Sequence, residues 1–258
     1  MKSKTKSKLL ELSRTLRLST IAALFEEMSQ RAEKNGWTYE EYLLHLFDEE
    51  TQERERRKIQ RNLHRAQLPE DKTLATFDLS KVPAKVPAKV KKQIPGLCEG
   101  GFVDRAENIL AFGLPGRGKS HLCWAICHEL VQKGVTVLSI PAFKLVQNLL
   151  VAKRDLVLDQ ALRALDKFAV VLVDDIGYVQ QSRDEVEVLF TFFAARYERR
   201  SVMITSNLVF SEWDQIFKSK MTTMAAIDRL IHHATILEMT GKSYRADEAE
   251  ANKKQQSS

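Results

Sequence analysis

Hydrophobic and polar positions divide the chain into a helical first part and an alternating second part. In the first part, apolar residues recur at the i, i+3, i+4, i+7 spacing of one helix face. They are Ile21, Leu24, Phe25 and Met28. From about residue 105, short apolar runs alternate with amphipathic stretches, which is typical of strands connected by helices. The predicted strands are Asn108–Phe112, Val135–Ile140, Phe168–Val173, Ser201–Thr205 and Thr235–Met239.

This order of elements predicts an α/β fold. Strands that are apolar on both sides are buried on both faces, so we expect a parallel sheet sandwiched by helices. The residues before the sheet are predicted to form a small all-α N-terminal domain. The predicted divisions are a helical domain at 1–69, a linker at 70–104, the sheet domain at 105–245 and a polar tail at 246–258.

The N-terminal helices have recognisable ends. Gly36 is predicted to end the first amphipathic helix, and Thr38 with Glu41 forms a capping box that predicts the start of the next. That helix is expected to continue to Pro69. Three apolar residues are predicted to begin its buried face. They are Leu43, Leu46 and Phe47.

Charge is segregated along the first part of the chain. Residues 1–20 and 54–65 each carry a net charge of +5, whereas residues 26–53 carry −7. Such basic clusters suit a phosphate backbone, although a solvated charged helix is the alternative. The candidate DNA contacts, with two later residues, are Lys6, Lys8, Arg14, Arg17, Arg54, Arg57, Lys58, Arg61, Arg65, Lys153 and Arg154.

The predicted linker contains a tandem repeat, Val82–Lys85 and Val86–Lys89. Its prolines prevent an ordinary long helix. The surrounding lysines leave two interpretations, a segment that follows a nucleic-acid backbone or a soluble spacer, and the spacer is favoured. The net charge of the whole chain, +6, favours an anionic partner without identifying it.

The residues from Gly113 to Ser120 match G-x-x-x-x-G-K-[ST], the phosphate-binding loop of nucleoside-triphosphate-binding proteins. Glycines let successive backbone N–H groups converge on phosphate oxygens, and the following helix directs its positive end at the same place. Lys119 is expected to neutralise the β- and γ-phosphates, and Ser120 to bind Mg²⁺. The predicted nucleotide contacts are Gly113, Leu114, Pro115, Gly116, Arg117, Gly118, Lys119, Ser120 and His121.

Acidic and amide side chains follow two of the predicted strands. Asp174 and Asp175 come directly after an apolar strand, where Asp174 is expected to bind Mg²⁺ and Asp175 to polarise the attacking water. Asn207 follows the next predicted strand, where its amide orients that water, contacts the γ-phosphate, or only closes a turn. Arg229 lies on an apolar helix and faces solvent, pairs with Asp228, or acts as an arginine finger in a neighbouring subunit.

Together these motifs resemble the IstB family of insertion-sequence ATP-binding proteins, which are AAA+ transposition helpers related to DnaC-type helicase loaders. The resemblance covers about residues 9–245. The motifs that carry it are the phosphate loop with His121-Leu122, Asp174–Tyr178, Arg196–Glu198, Ile204–Asn207, Ile227–His233 and Gly241–Arg245, with Leu16–Leu18 and Trp37–Leu43 before them.

The resemblance implies a AAA+ P-loop ATPase that uses ATP and Mg²⁺. It implies assembly on double-stranded DNA with little sequence preference, a cognate transposase as partner, and a homo-oligomer with nucleotide at subunit interfaces. Lys119, Asp175, Asn207 and Arg229 take the catalytic roles in this interpretation. The alternative is a DnaC-like helicase loader, whereas a small-molecule kinase is disfavoured because neither an acceptor pocket nor a closing lid is evident.

Two residues depart from the family pattern. Asp175 stands where most members have Glu, which brings the catalytic water closer or slows hydrolysis. Arg117 stands where a small or hydroxyl residue is usual and adds a positive charge. Arg245 is a weak candidate for a second sensor arginine.

The cysteines and the hydropathy bear on the compartment. Cys123 and Cys127 lie four residues apart on one helix face and are predicted to be buried core thiols. No apolar run approaches the length of a membrane span, and the start of the chain lacks a long apolar signal core. We therefore expect a cytoplasmic protein without a membrane partner.

Overall fold

The computed structural model describes residues 2–77, 88–178, 182–208 and 230–239. The chain divides into two compact units, Met1–Arg61 and Asn62–Ser258. The described helices are α1 (Lys2–Thr15), α2 (Ser19–Asn35), α3 (Tyr39–Ala66), α4 (Ala88–Glu99), α5 (Gly101–Asp104), α6 (Lys119–Gln132), α7 (Ala142–Arg154), α8 (Leu158–Leu165) and α9 (Arg183–Arg196), with a 3-10 turn at Ile176–Tyr178. The described strands are β1 (Asn108–Phe112), β2 (Val137–Pro141), β3 (Val170–Asp174), β4 (Ser201–Ser206) and β5 (Ala234–Glu238).

The described strands form one parallel sheet in the order β2-β3-β4-β1-β5. Each of them matches a predicted strand, with bounds that shift by a residue or two. The prediction of an α/β fold with a parallel sheet and a small all-α part before it is confirmed. Because all five strands run the same way, their carboxyl ends share one edge of the sheet, called here the carboxyl edge, and the opposite end is the amino edge.

Side chains of β1 alternate between two hydrophobic clusters. Ile109 and Ala111 belong to a cluster that includes buried residues of α4 and α6. Leu110 and Phe112 belong to a second cluster, built with α7 and α9 on the other face. The sheet is thus covered on both faces, which explains why its strands are apolar at nearly every position.

The first unit is a helical cluster around Ile21, Met28 and Leu46. The predicted boundary signals are present in it. Gly36 has φ 67° and caps α2, and the capping box forms, with Thr38 N donating to Glu41 Oε2 over 2.8 Å and Glu41 N to Thr38 Oγ1 over 3.2 Å.

The predicted buried face of α3 is wrong for two of its three residues. Leu46 is buried, but Leu43 and Phe47 are 51% and 47% exposed. The inward face instead continues from Leu46 to Glu50, one turn later, because Glu50 is buried and accepts a hydrogen bond of 2.7 Å from Thr20 N at the start of α2. A charged residue is tolerated on the inward face of α3 because its carboxylate is hydrogen-bonded to the start of a neighbouring helix.

The second unit includes chain that the sequence assigned to the linker. Helix α4 buries Val90, Ile94 and Leu97 in the cluster shared with α6. The linker prediction missed this helix, since its basic residues and Pro95 obscured a short apolar face. The tandem repeat lies outside the described residues except for Ala88 and Lys89, which begin α4. The polar tail also lies outside them, and the predicted domain boundaries stay predictions.

Candidate functional site

Three glycines shape the loop between β1 and α6. Gly113, Gly116 and Gly118 have φ values of 145°, 76° and 82°, a backbone region that side chains disfavour. Gly118 is the N-cap of α6, and no described side chain caps the helix there. The first N–H groups of α6 are therefore available to an anion, and the helix dipole favours negative charge at this end.

The loop leaves the carboxyl edge of the sheet at β1, between the ends of β4 and β5. Gly113 N donates to Ser206 O at the end of β4 over 3.3 Å, and Met239 N, just after β5, donates to Phe112 O over 2.7 Å. A Cβ at Gly113 would overlap the carbonyl oxygen of Met239. Glycine is required there because two neighbouring strand ends approach the backbone from both sides.

Lys119 is held inside this loop. Its side chain is buried, with only 5% of the residue exposed, and Nζ donates to Leu114 O over 3.1 Å. A lysine at the N-terminal end of a helix meets the positive end of the helix dipole. Such a position is tolerated where an anion can be bound, which agrees with the predicted role of this residue.

A threonine joins the two acidic residues after β3. Thr205 Oγ1 donates to Asp174 Oδ1 over 2.6 Å and accepts from Asp175 N over 2.8 Å. Asp175 has φ 59°, an unusual value for a residue with a side chain. The hydroxyl thus fixes the Asp174 carboxylate and the Asp175 backbone at the same time. This role of Thr205 was not predicted from the sequence, although a hydroxyl near the end of an apolar strand is a recognisable signal.

Asn207 lies against the turn that follows these acids. A Cβ at Gly177 would overlap Asn207 Oδ1. That oxygen is buried and has no hydrogen-bond partner among the described residues. A buried amide oxygen without a partner is costly, and a water or ligand group at this position would satisfy it.

The phosphate loop and the acidic pair lie close together. Cys123 on α6 is fully buried, and burial raises the pKa of its thiol well above the ordinary value. Smaller contributions to that pKa come from Cys127 and Asp174, which raise it, and from Lys119, which lowers it. In the sheet, Phe112 pairs with Ser206 and Val173 pairs with Ile204, so the phosphate loop after β1 and the acidic pair after β3 follow the two strands that flank β4. The prediction that Cys123 and Cys127 are buried core thiols is confirmed.

The residues at this edge fit a nucleoside triphosphate and Mg²⁺. Asp174 and Ser120 offer the oxygen ligands that Mg²⁺ prefers. The Arg117 Nε is buried and lacks a hydrogen-bond partner among the described residues, so a donor is left for an anion in this loop. Uncapped helix N–H groups, a buried lysine and an unsatisfied arginine donor are the groups that a polyphosphate would satisfy.

His121 makes its observed contacts away from this loop. Its Nε2 shares a hydrogen bond of 3.2 Å with Thr76 Oγ1, and its ring packs edge-on against Phe77 with centroids 5.1 Å apart. Burial lowers the pKa of His121, as does nearby Lys72. The imidazole therefore ties the segment before α4 to α6, and its predicted contact with nucleotide stays a prediction. Arg229 and Arg245 lie outside the described residues.

Several of the candidate DNA contacts are engaged within the chain. Ion pairs hold five of them: Lys6 to Glu26, Lys8 to Glu11, Arg54 to Glu50, Arg57 to Glu53 and Arg154 to Asp155. Lys153 lies 3.0 Å from both Asp184 and Glu187, and Arg65 stacks on Phe168. Among the described residues no ion pair forms to the remaining four, which are exposed. These four are Arg14, Arg17, Lys58 and Arg61.

None of the helices in the described part of the chain has the length and apolar character that a membrane span needs.

Comparisons with known proteins agree with the nucleotide-binding site described above. Residues 11–252 match the family described as IstB-like ATP binding protein. A putative insertion sequence ATP-binding protein of Sinorhizobium fredii is 44% identical over 89% of this chain and 76% of its own length. The IS21 putative ATP-binding protein of Pseudomonas aeruginosa is 35% identical over 90% and 86%.

The fold also has solved relatives. A crystal structure of DnaI superimposes with a TM-score of 0.55 at 21% identity, covering 67% of this chain and 95% of that one. This likeness concerns the fold, and it agrees with the observed parallel sheet. The predicted P-loop ATPase of the AAA+ class is confirmed by the family match and the architecture together. Since the match extends over most of its length, the chain belongs to the family of IstB-like ATP-binding proteins.

Proposed function

We propose that this protein is an ATP-dependent DNA-binding ATPase that assembles on duplex DNA and assists a separate transposase. The single observation that carries the proposal is the convergence at the carboxyl edge of the phosphate loop, the Thr205-linked acidic pair and Asn207. The names of its relatives as insertion-sequence ATP-binding proteins support the transposition setting.

Within this site each side chain has a distinct task. Lys119 neutralises the β- and γ-phosphates, and the α6 N-terminus binds the same oxygens. Ser120 and Asp174 hold Mg²⁺, which supplies charge neutralisation to the phosphates when bound. The Asp175 carboxylate accepts a hydrogen bond from the attacking water and polarises it, and the Asn207 amide orients that water.

Asp175 combines a short side chain with an unusual backbone conformation. Asp175 has φ 59° and its N–H is held by Thr205. The Asp175 carboxylate reaches one methylene less far from this fixed backbone than that of Glu, so the attacking water would have to lie nearer the main chain. We therefore infer slow hydrolysis that DNA or a partner accelerates.

Exposed arginine and lysine side chains of the first unit bind the phosphates of DNA in this proposal. Arg14, Arg17, Lys58 and Arg61 are exposed and are not used in ion pairs with described residues. Each cation that meets a phosphate releases counterions, so affinity for duplex DNA falls steeply with salt and depends little on sequence. A subunit-to-subunit nucleotide site, with Arg229 acting in trans, would make this binding depend on ATP.

The test measures duplex binding with and without ATP at two salt concentrations. We expect wild-type protein to bind DNA more tightly with ATP, and Lys119→Ala to lose both nucleotide retention and the ATP effect. Lys133→Ala, an exposed lysine at the other end of α6, is the control and should behave like wild type. Equal affinity with and without nucleotide, together with no salt dependence, would contradict the proposal.

A second comparison tests the surface. The triple variant Arg14→Ala, Lys58→Ala, Arg61→Ala should bind DNA more weakly and show a shallower salt dependence, by roughly one unit of slope for each lost phosphate contact. Arg31→Ala removes an exposed arginine that is paired with Glu27 and should leave the slope unchanged. Pull-down with the cognate transposase and, separately, with a replicative helicase then distinguishes a transposition helper from a helicase loader.

A further inference from the structure

Two histidines and a glutamate meet at the amino edge of the sheet, at the opposite end from the phosphate loop. Glu198 lies in the turn between α9 and β4, and His232 and His233 directly precede β5. One ligand atom from each of the three side chains lies within 4.8 Å of the others, and all three are exposed. The fold thus brings together residues that are more than thirty positions apart in sequence.

The backbone on both sides of this cluster is anchored. His233 O accepts a hydrogen bond of 2.8 Å from Asn108 N at the start of β1. The turn that carries Glu198 folds back on Arg196, whose carbonyl accepts from Arg199 N over 3.0 Å and from Arg200 N over 2.9 Å. The cluster therefore lies between the starts of β4 and β5, where backbone hydrogen bonds hold the chain.

The side chain of Arg196 stabilises that turn by hydrogen bonds to the backbone around it. Its side chain is 1% exposed and donates to four backbone carbonyl oxygens at 2.9–3.2 Å. The acceptors are Leu165, Phe168, Ala169 and Ser201. Glu198, two residues later, has φ 54°, an unusual value for a residue with a side chain, and its carboxylate lies near the two histidines.

One of the two ring nitrogens of His232 is engaged in a hydrogen bond within the protein. The Tyr197 hydroxyl hydrogen-bonds with His232 Nδ1 over 3.3 Å. With Nδ1 engaged by the hydroxyl, Nε2 would be the His232 nitrogen that binds a metal ion, which is the usual division between outer partner and ligand. The His232 and His233 rings lie 4.1 Å apart at 53°, so their faces do not stack in parallel.

Two imidazoles and one carboxylate are ligands for a zinc-class cation. Zn²⁺ binds such N and O atoms at about 2.0–2.2 Å, whereas Mg²⁺ and Ca²⁺ prefer oxygen-only sites. Ligand atoms around a tetrahedral ion lie about 3.3 Å apart, so small rotations of these exposed side chains would complete the geometry. Water would supply the fourth position.

We propose that Glu198, His232 and His233 bind one zinc-class divalent cation at the amino edge of the sheet. The ion links the turn after α9 to the residues that precede β5. It thereby stabilises the amino ends of three neighbouring strands, β4, β1 and β5. Because the ion binds the folded chain, it raises the free energy of unfolding by an amount that grows with the logarithm of the ion concentration above the dissociation constant. This site is separate from the proposed nucleotide site.

The experiment titrates the purified full chain, free of any affinity tag, with Zn²⁺ alone against a chromophoric chelator. We expect one ion per chain and an increase in melting temperature with zinc. His232→Ala and Glu198→Gln should each weaken binding by about tenfold or more, since even outer partners of a metal site cost 10–100-fold. Binding of Co²⁺ should add a visible absorption band that both variants lose.

Matched variants separate this site from other sources of binding. His64→Ala removes an exposed histidine of α3 and should bind Zn²⁺ like wild type. Lys119→Ala should keep full Zn²⁺ binding even though it loses ATP, so failure of one proposal leaves the other standing. Wild-type affinity no tighter than that of the His232 and Glu198 variants, with circular dichroism showing all proteins folded, would overturn the inference.

Discussion

Thr205 Oγ1 lies 2.6 Å from Asp174 Oδ1 and 2.8 Å from Asp175 N, so a single hydroxyl on β4 links both residues of the acidic pair that follows β3. Thr205 is fully buried. Its donor and its acceptor are both used, and water cannot replace it without opening the contact between neighbouring strands. The geometry of the acidic pair therefore depends on a residue of the adjacent strand.

Thr205→Val should slow ATP hydrolysis without preventing ATP binding. The substitution keeps the shape of the side chain but removes the hydrogen bond to Asp174 and leaves Asp175 N without its acceptor. A loss of about 10–100-fold in turnover is expected, as for other partners that orient metal ligands. The measurement pairs turnover with the dissociation constant of a fluorescent ATP analogue. Thr205→Ser restores the hydroxyl and is the control; equal impairment of both variants would contradict the assignment.

Gly177→Ala should displace the Asn207 amide. The added Cβ would overlap Asn207 Oδ1, the end of a side chain that can rotate away at little cost to the fold. We expect a fall in turnover similar to that of Asn207→Ala, again about 10–100-fold, with ATP affinity retained. The double variant should be no slower than Asn207→Ala alone, because the two changes act on one contact. Additive losses in this double-mutant cycle would show that Gly177 acts in another way.

Glu50→Gln should destabilise the first unit. Glu50 Oε2 accepts from Thr20 N and Ile21 N over 2.7 and 3.2 Å, and Oε1 accepts from Arg54 Nε over 2.7 Å. Losing the charge in these hydrogen bonds should lower the free energy of unfolding by about 1.5–3 kcal/mol. Hydrogen exchange of the peptide that contains the first turn of α2 is the direct measurement. Glu49→Gln, on the exposed side of α3, is the control.

The same carboxylate predicts a pH dependence. Burial raises the pKa of Glu50, but hydrogen bonds from Arg54, Ile21 and Thr20 outweigh it and hold the pKa below the ordinary value. A depressed folded pKa contributes stability above the unfolded pKa, and that contribution is lost as the pH falls through the folded value. Protection of α2 amides that stays constant below about pH 4 would contradict this.

Cys98 should be the thiol that reacts first with alkylating reagents, and slowly. Burial raises its pKa to about 11, with a further increase from Glu129. At pH 8 roughly one thiol in a thousand is then ionised, and the rate should rise about tenfold per pH unit up to pH 10. Cys123 and Cys127 are fully buried and should stay unlabelled in the folded chain. Mass spectrometry after timed labelling is the measurement, with denatured protein as the control.

The raised pKa of Cys98 also predicts how the stability of the folded chain changes with pH. Its folded pKa exceeds the ordinary value of 9.0, so it contributes stability that is fully present below about pH 9 and is lost as the pH rises towards 11. Glu129→Gln removes one cause of the shift and should speed labelling at pH 8. A labelling rate that does not change with pH would show that exposure, not ionisation, limits the reaction.

Local interactions let the sequence alone determine much of this protein. The phosphate loop from Gly113 to Ser120 is set by glycines whose positive φ the turn requires, and the helix ends at Gly36 and Thr38 depend on partners within a few residues. The strands were predictable because burial on both faces leaves a continuous apolar run. Family membership followed from the same short motifs.

Only the tertiary structure decided which distant residues meet. Leu43 and Phe47 are exposed, whereas the inward face of α3 includes Glu50, which reaches thirty residues back to Thr20. The link from Thr205 to Asp174 and the meeting of Glu198 with two histidines arise because neighbouring strands bring their ends together. Periodicity reports which face of an element is apolar, but contacts between distant residues depend on strand order and on the packing of one element against another.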